Sequence, residues 1–226
     1  MGRSLRTESG LRLDGRDALK RLIDDVQTGK ADFSTILVYD VSRWGRFQDA
    51  DESAYYEYIC KRAGTQRLMS FHQPFLNHDA LTFPQSDILL GKPLPVRSAA
   101  LFYQTHKGPF DPTKQLQWLL DGPERLQQFL ALAQGLGTRM RINIELDVGL
   151  HRGGVSDVNV LGQMLTLISA NPQHLEFAGF MGYDPFVGMG VPGILGSPEE
   201  LFAKVMVIYQ RCVDFTRQQF PALWHD

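Results

Sequence analysis

Residues 141–155 read RINIELDVGLHRGGV. The first part, from Met140 to Val148, reads as a strand with Glu145 and Asp147 on one face by period two. It runs directly into Gly149, His151, Arg152 and the pair Gly153-Gly154. Polar and cationic side chains thus gather where a strand ends, beside glycines that permit close approach of backbone to a ligand. In parallel βα arrays the carboxyl ends of the strands are where ligands bind.

Outward from this stretch the pattern repeats. Strand-like runs occur at Leu68–Phe71, Asp87–Leu90, Leu116–Leu120 and Leu175–Met181. Helical patterns lie between and after them. One covers about Val96–Thr105. A second spans Pro123–Leu136, with Leu126, Phe129, Leu130 and Ala133 on one face and Pro123 suited to its first turn. A third carries the stripe Leu161, Met164, Leu165 and Ile168. The last begins at Ser197, with Glu200 at the capping-box position, and runs to about Gln219. Five strands alternating with helices predict a parallel α/β array, either an open sheet or a stretch of (βα)8 barrel.

The first sixty-odd residues have another character. DGRDALKRLIDDVQTG, 14–29, places Leu19, Leu22, Ile23 and Val26 on one helical stripe, with Asp14 as N-cap and Gly29 as stop. Residues 35–41 read as a buried strand. The loop SRWGRFQDADES follows, then a helix through Ala54, Tyr55, Tyr58 and Ile59 to Gly64. Arg43 and Arg46 sit just past the strand, and two guanidinium forks three residues apart match the oxygens of a phosphate. Between Gly64 and Leu68 no Pro/Gly/Ser run or charge tract intervenes, so the two patterns abut without a linker. Division into residues 1–64 and 65–226 is the expectation.

Bulk properties exclude some classes. A net charge of −2 gives no global field for nucleic acid or membrane. No apolar run nears the ~20 residues of a membrane span. Cys60 and Cys212 stand in no metal-spaced motif and read as reduced thiols of a cytoplasmic protein. His72, His78, His106, His174 and His225 share no metal spacing with His151, and no metal site is expected.

Two resemblances organise these readings. GRDALKRLIDDVQTGKADFSTILVYDVSRWGRFQDADES, 15–53, resembles the catalytic domain of serine recombinases (resolvases and invertases), over about residues 8–64. It implies a phosphate site built from Arg16, Arg43 and Arg46 that stabilises charge during phosphoryl transfer, and DNA as partner. Ser42 stands where many relatives carry Asp. The family's nucleophilic serine lies upstream of the matched residues in a Y-x-R-x-S context, which neither Ser4 nor Ser9 has, so no covalent phosphoserine step is expected.

The rest, about 65–220, resembles fold-type III pyridoxal phosphate (PLP) enzymes. These comprise the alanine racemase N-terminal barrel and its D-threonine aldolase and D-serine dehydratase-like branch. The motifs RLMSFHQPFL, DILLGKPLPV, LQWLLD, ELDVGLHRGGV and LEFAGFMGYDP carry it, in family order. It implies a partial (βα)8 TIM-type barrel of about five units, preceded by the truncated resolvase-like segment. It also implies PLP as cofactor and an amino acid as substrate. Arg152 matches the arginine that reaches the phenolic oxygen of the cofactor, and Tyr183 the residue that packs on its ring. Asp147 and His151 are supporting residues of the same layer. The family's Schiff-base lysine belongs to a strand upstream of RLMSF, where this chain carries recombinase-like residues. Lys92 is the only lysine near a predicted strand end and reads as structural. The expectation is a chimera without either covalent catalytic residue, with open sheet edges, exposed apolar surface and marginal stability.

Overall fold

The computed structural model describes residues 67–188 and 196–224, together with Arg21, Asp24, Asp25, Thr28 and Lys30. Arg21, Asp24 and Asp25 are helical, as the 14–29 pattern predicts. The remaining readings on the first segment, Arg16, Arg43 and Arg46 among them, lie outside the described residues.

The described residues alternate strand and helix: β1 Arg67–Ser70, α1 Gln73–Thr82, β2 Asp87–Leu90, α2 Val96–Thr105, α3 Pro112–Gln115, β3 Leu116–Leu120, α4 Pro123–Leu136, β4 Met140–Leu146, α5 Val158–Ala170, β5 Leu175–Gly182, α6 Pro185–Gly188 and α7 Pro198–Gln219. All four strand pairings are parallel. The strands lie side by side in chain order, β1-β2-β3-β4-β5. A doubly wound sheet reverses direction at a switch point; this one never does, so its crossovers leave the helices on one face. That order settles the choice left open by the sequence in favour of a partial barrel.

Burial follows the two faces. Ile88, Trp118, Leu120, Ile142, Ile144 and Leu146 are buried in one core with Leu76, Phe102, Leu126, Phe129, Leu161, Met164 and Leu165 of the helices. Trp118 is its centre, with the rings of Phe102 and Phe129 at 6.0 and 5.4 Å and its indole N–H donating to the Tyr103 hydroxyl at 3.2 Å. The other face, toward the barrel axis, is polar at its amino end. Asn143 donates to Gln117, Gln117 to Asp87, and Asp87 accepts from Arg141, which pairs in turn with Glu176. A buried polar group is costly unless bonded, and this chain of partners bonds nearly all of them. On the outside, α7 leaves Phe202, Met206 and Val207 exposed.

Local signals stop and start the helices as read. Gly137, left-handed at φ 60°, closes α4 with its N–H on Ala133 O. Ser197 and Glu200 form a reciprocal capping box at the head of α7. The expected strand through Val148 ends instead at Leu146, which places Asp147 at the start of the loop. The sequence reading did not place α1, α3 or α6; α3 is a single turn capped by Asp111, and α1 has no side-chain cap and buries only Leu76 and Ala80.

Replacing Phe129 by Ala removes a fully buried ring from the Trp118 cluster. Urea unfolding is expected to show a loss of about 3–5 kcal/mol. A change under ~0.5 kcal/mol would show that this core is not packed as described.

Candidate functional site

The carboxyl ends of β2, β4 and β5 meet around one buried carboxylate and its cation. Glu145, the penultimate residue of β4, faces the barrel axis with its side chain only 3% exposed. Arg152, seven residues on, returns to it. The Arg152 Nε and Nη2 both donate to Glu145 Oε1, at 3.1 and 2.9 Å. Nη2 also donates to the carbonyl of Gly91, just past β2, at 3.2 Å. The guanidinium lies 3.9 Å from the centre of the Tyr183 ring, a cation–π contact. Burial pushes the Glu145 carboxyl above the usual glutamate range; the hydrogen bond and charge of Arg152 pull it back, while Asp121 and Asp147 add to the rise.

The loop 147–155 explains how Arg152 gets there. The chain doubles back, so that Val155 forms a parallel bridge with Leu146. Val155 N–H donates to Glu145 O at 2.8 Å, and Asp147 N–H to Val155 O at 3.1 Å. Gly154 has φ +96°, and a Cβ there would stand 2.7 Å from the Asp147 nitrogen and 2.8 Å from the Leu146 carbonyl carbon. Only glycine allows that approach. Asp147 organises the turn. Its Oδ1 accepts from the backbone N–H of Gly149 and of His151, and its Oδ2 lies 2.7 Å from His151 Nδ1. His151 takes the left-handed conformation, φ 57°, with a side chain that is 80% exposed. Burial pushes the Asp147 carboxyl up, but the hydrogen bonds from the His151 ring, the two backbone N–H groups and the His151 charge outweigh it and hold the carboxyl below the usual aspartate range.

Tyr183 is aimed by an irregularity. Through Ile142↔Phe177 the β4–β5 register is regular; the next pair is Asn143↔Gly179, so Ala178 is an extra residue. A one-residue bulge reverses the side-chain alternation beyond it. Phe177, before the bulge, is registered with the apolar Ile142, whereas Met181, after it, is registered with Glu145, whose side chain faces the axis. Two residues further on, Tyr183 falls on that side too, against Arg152.

Of the residues singled out from sequence, the structure therefore brings Asp147, His151, Arg152 and Tyr183 into one layer. Glu145 joins this layer as well, although the sequence reading placed it only on the strand face that it shares with Asp147. Its signal was the Gly153-Gly154 pair, eight and nine residues downstream, which returns the chain to the strand end. Lys92 also lies at this mouth, one residue past Gly91, with its Nζ 3.4 Å from His72 Nε2. Among the described residues no three His, Cys, Asp or Glu side chains gather as a metal site, and no helix is long and apolar enough to cross a membrane.

Comparisons with known proteins agree with both halves of the sequence reading. Residues 96–206 match the family model of the alanine racemase N-terminal domain. Residues 6–75 match that of the resolvase N-terminal domain. The chain thus joins two family signatures; the resolvase match runs past Gly64 and takes in β1, which pairs with β2 in the barrel sheet. None of the curated proteins matches. Among solved structures, alanine racemase from Clostridium difficile 630 in complex with cycloserine superposes with a TM-score of 0.63 at 11% identity, covering 88% of this chain and 49% of that one. The alanine racemase from Bacillus anthracis gives 0.62 at 16%, covering 89% and 47%. The histidine racemase from Leuconostoc mesenteroides subsp. sake gives 0.59 at 16%, covering 85% and 45%. This chain spans just under half the length of each, and at such identities the likeness establishes the fold alone.

The lowered Asp147 carboxyl has a consequence for pH. A carboxylate whose folded pKa lies below its unfolded value stabilises the fold above the unfolded value, and that stability drains as pH falls through the folded value. Wild type is expected to lose stability below roughly pH 5 more steeply than Asp147→Asn, as read by urea midpoints across the acid range. Parallel profiles would exclude Asp147 from holding the turn.

Proposed function

We propose that residues 67–224 are a PLP-binding part-barrel of the amino-acid racemase, aldolase and dehydratase type, which holds the cofactor through Arg152 and Tyr183 without turning amino acids over. The observation that carries this reading is the Glu145–Arg152–Tyr183 assembly at the carboxyl ends of the strands. Its residues suit a flat aromatic bearing anionic oxygens. Arg152 is held on one side by Glu145 and Gly91, while its Nη1 makes no hydrogen bond among the described residues and is left to donate. The buried carboxylate keeps the guanidinium in place and partly neutralised, so an added anionic oxygen meets an oriented donor. Tyr183 supplies an aromatic wall beside it. Asp147 and His151 fix the turn from which Arg152 projects.

PLP, when bound, supplies an electron sink for a carbanion at the amino-acid α-carbon. The lysine that such enzymes use belongs, by resemblance, to a strand upstream of β1, where this chain carries residues matching the resolvase model.

A second reading rests on the resolvase match: Arg16, Arg43 and Arg46 contact DNA phosphates. Such binding weakens steeply with salt, since phosphate contacts release counterions.

Equilibrium dialysis of the full chain against PLP tests the first reading. Saturable binding is expected, weakened roughly tenfold or more in Arg152→Ala, with no racemisation of alanine by either protein. Binding unchanged in that variant would remove Arg152 from the site.

A further inference from the structure

We propose that Lys92, with His72 as its proton partner, captures an anionic aromatic aldehyde at the barrel mouth. This deepens the reading above and rests on it. The starting point is how firmly the origin of Lys92 is placed. Gly91 N–H donates to Ser70 O at 2.7 Å, tying the end of β2 to the end of β1. A Cβ at Gly91 would stand 2.3 Å from the Phe71 ring, so the chain passes hard against that side chain. The Gly91 carbonyl receives Arg152. Lys92 is the next residue, and it projects from the same rim on which the guanidinium is mounted.

Its partner is unusual for a lysine. Lys92 Nζ lies 3.4 Å from His72 Nε2, and among the described residues no carboxylate stands within ion-pair distance of it. His72 is the residue before α1, yet its side chain caps nothing; the ring leans on Phe75 at 5.9 Å and turns its Nε2 to the amine. A carboxylate beside a lysine fixes the ammonium form. An imidazole can instead take a proton from it and hand one back, which is what amine addition to a carbonyl needs.

The step balances without any oxidant. The ammonium of Lys92 gives a proton to His72 Nε2. The amine lone pair forms a bond to the aldehyde carbon as the C=O π pair moves to oxygen, which takes up one of the two remaining nitrogen protons. Loss of that hydroxyl as water, with the second nitrogen proton, leaves a C=N bond. Amine and aldehyde give imine and one water. Arg152, on the same rim, selects an aldehyde whose ring carries anionic oxygen.

The test uses the full chain and PLP at stoichiometric concentration, followed by borohydride reduction and peptide mapping. One label per chain on the Lys92 peptide is expected, absent in Lys92→Arg, and formed roughly tenfold more slowly in His72→Gln. Label scattered over surface lysines, or retained in Lys92→Arg, overturns the proposal. Pyridoxine phosphate, which lacks the aldehyde, separates the two readings. If it binds in an Arg152-dependent way while Lys92 is not trapped, the aldehyde capture is wrong and the cofactor site stands. If neither compound is retained, both are wrong.

Discussion

The mouth of this part-barrel depends on one buried carboxylate and the cation that returns to it. Glu145 is almost fully enclosed, and a charge so placed is tolerated only with a hydrogen-bonded partner. Arg152 is that partner, and it is also the residue through which three other elements are gathered: the end of β2 by the Gly91 carbonyl, the end of β5 by the Tyr183 ring, and the 147–155 turn by the chain itself. Glu145 is enclosed while Arg152 stays partly exposed, so removing the guanidinium strands a buried carboxylate and destabilises the rim. The same pairing leaves Nη1 without a hydrogen bond among the described residues, so the contact that stabilises the rim also orients that donor.

The polar groups of the described sheet differ between the two ends of the barrel axis. At the amino ends of the strands the interior is filled by a bonded polar chain from Asn143 through Gln117, Asp87 and Arg141 to Glu176. At the carboxyl ends it opens on groups with a donor or a proton to offer: Arg152, Lys92, His72 and His151. That polarity is the general one for βα barrels, in which stability sits at one end and chemistry at the other. The sheet described here has β1 and β5 as its outer strands, and α7 carries an exposed apolar stripe.

Most of the fold was legible because period and punctuation agree. β2 and β3 fall where their apolar runs lie, Pro123 opens α4, and the Ser197–Glu200 box opens α7. Arg152, Tyr183, Asp147 and His151 were legible as a strand-end set. Three things were not. α1 lacks a cap and a strong apolar stripe, and forms within the β1–β2 crossover. The Ala178 bulge cannot be read from period two, although it decides on which face Tyr183 emerges. The Glu145–Arg152 pair is a contact between positions that an extended chain holds far apart, and only the close approach at Gly154 makes them neighbours.

Hydrogen exchange measures that dependence directly. In the wild type the Asp147 and Val155 amides are bonded across the turn, while those of β3 and β4 lie in the core sheet. If the Glu145–Arg152 pair holds the rim, Arg152→Ala accelerates exchange at Asp147 and Val155 by roughly tenfold or more and leaves the β3 and β4 amides protected. Unchanged protection at Asp147 and Val155 would contradict it, and would mean that the turn stands without the pair.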